Sequence, residues 1–586
     1  MGSSCSCIHT TVTQIHFLQA NAPSGSSSED KSGQEMKGYE TEGGAEAQVD
    51  SGKWNLLTGE VKALLNICPR NNDVDALMNQ VNEMLKTDDN LNIESNYENI
   101  VKELEKTGEL WRDPEFLPEP SSLTYEHMAP EGIEWIRTLD LHENPFFMTD
   151  GVSKSDIVQG ELGDCWFWAS VATIANYRRL TERVIPSGQF ITGSSPYYGI
   201  FRFRFWQFGK WVEILVDDYL PTRIGQLIYA KSEASNEFWP SLFEKAFAKL
   251  HGSYKAIEGG WTLDALTDLT GGVGEIYRFS EYADRYEELY DHLAAASRKN
   301  ALMACGTGKG DGKSGAQDGL IAGHAYGVTA VRKLTTPRGR VPLVRILNPW
   351  GSGKKMEWTG DWSDDSPLWD QIPTWTKESF GFTKKDDGEF WMKFDDFCRK
   401  FANITVLTLG PDFDGDGGAD AGSLQEVTGQ WVAGINAGGC RNNMTKYSCN
   451  PQYPITIAER DAHTDFDDDQ EDRECSILIC LIQNYRRTSR KLGLLMSPIG
   501  IQIYRSCDPL KVLTAKHFTH DGEVSDSGAY VAQRSITLRC KLTPGHYVII
   551  PSTFVPDTDE AFMLRIFTDA PIQSHQGFNL AEEAVD

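Results

Sequence analysis

A cysteine at the start of an apolar helix, with a histidine and an asparagine at the facing ends of two strand-like runs, constrains this chain more than any other feature. The strings that carry them are Gln-Gly-Glu-Leu-Gly-Asp-Cys-Trp-Phe at 159–167, Gly-His-Ala-Tyr-Gly-Val at 323–328 and Asn-Pro-Trp-Gly at 348–351. Asp164 is a good N-cap residue, and Trp166 to Tyr177 reads as a helix with a broad apolar face. Cys165 then lies in the first turn, where the positive end of the helix dipole lowers a thiol pKa. His324 opens the run Ala325 to Val331. Val341 to Leu347 is a second run, and Pro337-Arg338-Gly339 between them carries turn signals. If the runs form a hairpin, His324 comes beside Asn348, whose amide then orients the imidazole. A thiol needs a base, and the base needs a third group to hold its ring. The amide of Gln159, with the Cys165 backbone N–H, offers an oxyanion hole. Each residue alone has an ordinary structural explanation; together, and in this order, they point to catalysis by a thiol.

Composition narrows the class. The chain has 586 residues, enough for several domains with their own cores. It carries 84 acidic and 56 basic residues, a formal charge of −28. No nucleic acid partner is expected, because phosphate binding needs a basic surface, whereas the acidic balance suits cations or plain solubility. The 12 cysteines show no paired metal spacing and form no disulfide framework in a chain this long. Cys305, Cys398, Cys475 and Cys480 read as buried small apolar residues. No run is long enough to span a bilayer and no secretory signal is present. Met1-Gly2-Ser3-Ser4-Cys5-Ser6-Cys7 fits N-myristoylation at Gly2, with Cys5 and Cys7 open to palmitate, and a second acyl chain is what makes such an anchor stable. The expected location is therefore cytoplasmic, anchored to the inner face of a membrane. Residues 1–52 read as a disordered, acylated segment, and 53–107 as a helical region whose simplest role is a packing extension.

Further strings carry a resemblance. Leu110-Trp111-Arg112-Asp113-Pro114-Glu115-Phe116, Asn236-Glu237-Phe238-Trp239, Leu269-Thr270-Gly271-Gly272 and Asp387-Gly388-Glu389-Phe390-Trp391-Met392 resemble the calpains, calcium-dependent intracellular cysteine proteases. Gly429-Gln430-Trp431 and Ala437-Gly438-Gly439-Cys440 look like the family's C2-like domain. The resemblance runs from roughly 108 to 570. It implies an α+β fold: a two-part papain-like cysteine protease core followed by a C2-like β-sandwich domain. The implied boundaries are 108–270 for the Cys subdomain, 271–410 for the His/Asn subdomain, 411–424 for an acidic linker, 425–570 for the sandwich and 571–586 for a tail. It makes Cys165, His324 and Asn348 the triad, Gln159 the oxyanion partner and Trp350 the gating wedge that separates the halves in the calcium-free state. The implied function is limited proteolysis of protein substrates. The rival readings are a catalytically silent membrane scaffold or calcium sensor, and a transglutaminase-like acyltransferase, a class that uses Asp where this chain has Asn348.

The resemblance also implies Ca2+ at two sites in the core. The first takes the carbonyls of Thr149 and Gly151 with the carboxylates of Asp156 and Glu237; the second takes Glu357, Asp364, Asp387 and Glu389 with the carbonyl of Lys385. These are hard oxygens of the kind calcium needs. The loop from Gly351 to Glu357 is longer than the family's by about three residues, a cheap insertion in loop-closure terms, and brings Lys354 and Lys355 near the second site. Asp412-Phe413-Asp414-Gly415-Asp416-Gly417 starts like an EF-hand loop, with Asp420 at position nine, but Ser423 stands where the bidentate Glu belongs, so it reads as a flexible acidic linker with at most weak calcium binding. A penta-EF-hand domain is not expected after 570, nor is the conventional small subunit as a partner. The acidic run from Asp461 to Glu474, set against Arg486, Arg487, Arg490 and Lys491 after the strand-like Ser476 to Ile482, suggests a calcium- or phospholipid-sensitive switch in the C2-like domain, with two solvated loops as the plain alternative.

Overall fold

The computed structural model describes residues 96–586 except 126–130, 150, 153–155, 176, 192–195, 309–317, 351–355, 459–473, 486, 576 and 578–586, together with the backbone of residues 10–15. Gly2, Cys5 and Cys7, most of the 53–107 region, Lys354 and Lys355, and all of the acidic run but Glu474 lie outside the described residues. Residues 10–15, expected to be without structure, form a strand β1 (Thr10–Ile15). The described part of 53–107 ends in the helix Tyr97–Thr107, closed by Gly108 in the left-handed conformation.

The first half of the core is built on helices. The helix Cys165–Ile174 is apolar all round, and every residue after Cys165 is buried, as expected of a helix enclosed on all sides. It ends earlier than the apolar run suggested. Asp164 takes the N-cap position, yet its side chain makes no capping bond, because it is directed at Glu244 instead. The helix Trp239–Leu250 starts with Pro240 in its first turn, where the missing N–H costs nothing, and buries all but one of its residues. Phe167 stacks on Phe247 at 4.1 Å and Phe205 on Phe243 at 5.5 Å, filling the space between these helices and the strands. Those strands are β2 (Ile133–Arg137), the hairpin β3 (Ile200–Gln207) and β4 (Lys210–Asp217), then β5 (Tyr219–Arg223) and β6 (Gln226–Leu227). The helix Thr262–Thr270 completes this half.

The second half is a six-stranded antiparallel sheet in the order β11-β10-β9-β8-β12-β7. Its strands are β7 (Val273–Arg278), β8 (Leu302–Thr307), β9 (Ala325–Thr336), β10 (Gly339–Leu347), β11 (Glu389–Lys393) and β12 (Phe401–Thr408). β9 and β10 form the expected hairpin, longer than the apolar runs alone indicated, with Leu347 opposite Gly327. One apolar cluster contains Trp168, Ala172 and Phe247 from the first half together with Leu302, Ala304, Ala325, Leu347 and Leu407 from the second. The halves therefore share a core, with the cysteine helix packed on β8 and β9.

The C-terminal part is a sandwich of two five-stranded antiparallel sheets. One holds β1, β13 (Gly422–Trp431), β20 (Glu560–Thr568), β15 (Cys475–Gln483) and β18 (Ser535–Leu542); β1 adds to the β13 edge. The other holds β14 (Tyr453–Ile457), β16 (Ile499–Ser506) and β19 (Gly545–Thr553) with two short strands. Side chains alternate along a strand, so Ile477, Ile479 and Leu481 of β15 fill the sandwich interior while Leu478, Cys480 and Ile482 face the opposite way. The second set packs with Trp206 and Val273 of the core. This explains why the run is continuously apolar: both faces of β15 are buried.

The segment 411–424 is folded rather than a flexible linker. Asp412 is buried and accepts the Gly415 N–H at 2.8 Å and the Gly417 N–H at 3.0 Å, while Asp420 accepts the Phe413 N–H at 2.7 Å. Short acidic side chains closing on their own backbone hold such loops. A Cβ at Gly417 would meet Ala296 at 2.2 Å, so the loop sits directly against the second half. Among the described residues, no helix is long and apolar enough to cross a membrane. Truncating Phe243 to Ala removes a ring from the middle of the first-half aromatic cluster and is expected to cost about 3–5 kcal/mol. Urea unfolding followed by tryptophan fluorescence measures it.

Candidate active site

The histidine is fixed by its backbone. Its N–H donates to Thr307 Oγ1 at 2.9 Å, and its carbonyl accepts the Thr307 N–H at 3.0 Å. The hairpin then carries Asn348 to the ring, with His324 Nε2 and Asn348 Oδ1 2.9 Å apart. The orientation of the amide follows from its other end, where Asn348 Nδ2 donates to the Met356 carbonyl at 3.2 Å. Oδ1 must therefore accept, Nε2 must carry hydrogen, and Nδ1 is the nitrogen left for the cleft. Both side chains are buried, at 4% and 1% exposure.

Cys165 meets this pair across the shared core. It occupies the first turn of its helix, keeps a partly exposed face, and has the Ala325 backbone N–H directed at its sulfur. The structure thus brings the thiol to the residue following His324. Gln159 stands alongside. The chain there runs so tightly over Tyr229 that a Cβ on Gly160 would meet that backbone at 2.3 Å. Gln159 Nε2 donates one hydrogen to the Leu162 carbonyl at 2.6 Å, which leaves its second N–H for an oxyanion. Its Oε1 accepts from Trp350 Nε1 at 2.7 Å, and the Trp350 ring lies 4.6 Å from that of His324. Trp350 therefore touches residues of both halves.

Burial sets the protonation states. It pushes the Cys165 thiol up to about 12 and the His324 imidazole down to about 4, although the Asn348 hydrogen bond favours the charged ring. The thiol pKa lowered by the helix dipole that the sequence suggested is therefore not what the resting site shows, because desolvation outweighs the dipole.

The carboxylates assigned to cations fall in two places. Glu237 is buried, accepting the Thr149 N–H at 2.8 Å and the Ser232 hydroxyl at 2.7 Å, while the Asp156 carbonyl accepts the Glu233 N–H at 3.2 Å and Gly151 is exposed with a positive φ. In the second place Glu357 accepts the Gly388 N–H at 2.6 Å, Asp364 the Lys385 N–H at 3.0 Å, and Asp387 the Glu389 N–H at 3.1 Å. Glu389 pairs with Arg345 at 3.3 Å and Thr329 at 2.8 Å. Burial, then the neighbouring acids, pushes Glu357 up to about 8 and Asp364 up to about 7. Asp386 adds to that charge and was not singled out from the sequence, although it sits beside Asp387. Among the described residues, the acidic trio whose oxygens lie within 4.8 Å of one another is Asp412, Asp414 and Asp420; no three of the core carboxylates converge so closely.

Sequence reasoning also missed the docking of the sandwich. Arg487, expected to face an acidic loop or solvent, is 4% exposed and stacks 4.1 Å over the Trp166 ring next to the cysteine. It donates to the Gly259 carbonyl at 2.8 Å and to Asp264 at 3.1 Å, and Arg490 donates to the Glu258 carbonyl at 2.9 Å. Nothing local in the Arg487 segment signals a partner more than 200 residues away.

Comparison with known proteins gives one answer along most of the chain. The calpain family cysteine protease domain matches residues 111–408, and domain III of the calpain large subunit matches 427–567. Calpain-A of Drosophila melanogaster is 39% identical over 486 residues, covering 81% of this chain and 57% of its own length. Calpain clp-1 of Caenorhabditis elegans is 38% identical over 477 residues, covering 80% and 60%. The calpain-2 catalytic subunit of Bos taurus is 37% identical over 494 residues, covering 81% and 68%. The chain thus spans less than two thirds of the length of the fly and nematode relatives.

The second carboxylate group makes a pH-dependent expectation. Glu357 has its folded pKa raised above that of the unfolded chain, so the folded state holds a proton that unfolding releases. The resulting stabilisation is present at low pH and lost as pH rises from about 5 to about 8. In chelator, the melting temperature of wild type should therefore fall relative to Glu357→Gln across that window.

Proposed function

Because the chain belongs to the calpain family of cysteine proteases, we propose that it is a calcium-activated endopeptidase that makes limited cuts in protein substrates. The observation that carries this reading is the 2.9 Å contact between His324 Nε2 and Asn348 Oδ1, which aims the other ring nitrogen at the cleft where Cys165 stands. The core is read as papain-like, with an extended substrate lying between the helical half and the sheet half, and the sandwich as C2-like.

The proposed mechanism uses this chain's own side chains. His324 Nδ1 takes the Cys165 proton as sulfur attacks the peptide carbonyl, and Asn348 stabilises the imidazolium through Nε2–H. The developing oxyanion accepts from the free Gln159 N–H and from the first-turn N–H of Cys165, which has no acceptor inside the helix. His324 then protonates the leaving amine, and water, deprotonated by the same ring, releases the acid. Trp350 shields His324 and holds Gln159 through its indole N–H, so one side chain links the base to the oxyanion donor.

Two features support the cation. Asp364 Oδ1 is buried without a hydrogen-bond donor, and Glu357 and Asp364 are pushed toward neutrality by burial and by each other's neighbours. Calcium bound there supplies the positive charge that lets these acids stay ionised together. On the other side, Glu237 ties Thr149 to the segment carrying Ser232. The acylation pattern at Gly2, Cys5 and Cys7 supports a membrane-facing location with phospholipid as a further partner.

Calcium titration of peptide hydrolysis and self-cleavage by the full chain tests the reading, with Cys165→Ser as the control. Calcium-dependent cleavage that the variant loses is the expected result. Full activity in chelator removes the cation from the account, and a calcium-binding chain that cuts nothing makes it a silent scaffold. Asn348→Ala should lower kcat/KM by about 100-fold, since the base then loses its orientation; steady-state kinetics on the same peptide measures it.

A further inference from the structure

Directly behind the nucleophile, Asp164 is fully buried, and neither of its carboxyl oxygens accepts a well-formed hydrogen bond; its own backbone N–H and the Trp168 indole N–H act on it only weakly. The group within hydrogen-bonding reach is another carboxyl, that of Glu244 on the helix Trp239–Leu250, itself 1% exposed. Glu244 is well supplied. Its two oxygens accept the Ala230 N–H at 3.2 and 3.0 Å, and Oε1 accepts from Trp168 Nε1 at 3.4 Å. Two carboxylates in contact in a buried, apolar interior are not both ionised, because burial leaves their repulsion unscreened.

We propose that Asp164 and Glu244 hold a single proton, carried by Asp164 and donated to Glu244, and that this pair is a positioning device that keeps negative charge off the residue adjoining Cys165. The inference rests on the reading of Cys165 as the nucleophile. The proton is assigned by the donors: formed bonds from the Ala230 and Trp168 N–H groups stabilise the Glu244 anion, whereas Asp164 accepts no well-formed bond. Burial acts in the same direction, pushing Glu244 up to about 7 and Asp164 well above the carboxylate range.

The consequence falls on the thiol. A charged Asp164 raises the Cys165 pKa, and a neutral one leaves the first-turn dipoles unopposed. The other titratable groups facing the pair are Cys165 on the same helix, Tyr254 beyond the Glu244 helix and Tyr229 next to Ala230. Asp217 lies past Tyr254 and is paired with Lys245, so that lysine is not available to the pair. The arrangement resolves a conflict visible in the sequence, where an acid immediately precedes a residue that must become an anion.

The test is the rate of alkylation of Cys165 by iodoacetamide in the full chain against pH, read on the Cys165 peptide by mass spectrometry, with melting temperatures alongside. Asp164→Asn keeps an N–H donor toward Glu244 at every pH and leaves the charge where wild type has it, so the acid limb of the profile should stay in place. Glu244→Gln turns a donor toward Asp164 and moves the charge onto it. Its acid limb should shift up by about one pH unit, a roughly tenfold loss of rate below that limb. Equal shifts in both variants, no shift in Glu244→Gln, or a downward shift overturns the proposal. Should Glu244→Gln not fold, Asp164→Asn decides alone, since a downward shift there means that Asp164 carries the charge in wild type. A wild-type profile that is simply that of an ordinary free thiol instead overturns the nucleophile reading itself.

Discussion

The packing of the cysteine helix onto β8 and β9 is the constraint on which the rest depends. The thiol comes from one half of the core and the base from the other, and neither half has any reason of its own to place them together. What places them is burial: Trp168 and Ala172 share an apolar cluster with Ala304, Ala325 and Leu347. At about 25 cal/mol per Å² of apolar surface removed from water, an interface of this kind is held by area rather than by direction. A modest rotation of one half therefore changes the catalytic geometry while losing only part of the contact.

Electrostatics pull against the chemistry throughout the site. The enclosure that aligns the triad also disfavours its charged form, raising the thiol and lowering the imidazole. Fixed polar groups stand beside it: the Asn348 carbonyl oxygen on the ring, the Gln159 amide and the start of the cysteine helix. The acidic loops around Glu357 and Asp364 show the same opposition, with buried carboxyls crowded where only a cation or protons relieve them.

The sandwich is part of the site's support. Arg487 lies on the ring of Trp166, Arg534 pairs with Asp268 at 2.6 Å, and Arg539 pairs with Glu275 of β7 at 3.2 Å. The first two contacts reach the cysteine half and the third reaches the sheet half. The sandwich thus touches both halves: the Arg534–Asp268 pair is nearly buried and costly to break singly, whereas Arg539 and Glu275 are each about a quarter exposed.

Much of the site was legible in the sequence because its signals are local. An apolar helix start with a cysteine, and a hairpin whose ends carry His324 and Asn348, need only periodicity and turn residues to be seen. The continuous apolar run of β15 announced a strand but not that both of its faces are covered. Glu244 carried no signal at all: on its own helix it reads as one more charged residue, and only the fold sets it against Asp164. The basic stretch after β15 read as facing the acidic run or solvent for the same reason. The sequence by itself determined which residues can act as nucleophile, base and orienting amide, since those depend on side-chain chemistry and on neighbours a few positions away. Only the tertiary structure decided which protonation states they hold and which distant acids and arginines they answer to, because desolvation and charge pairing depend on what surrounds a group in space rather than along the chain.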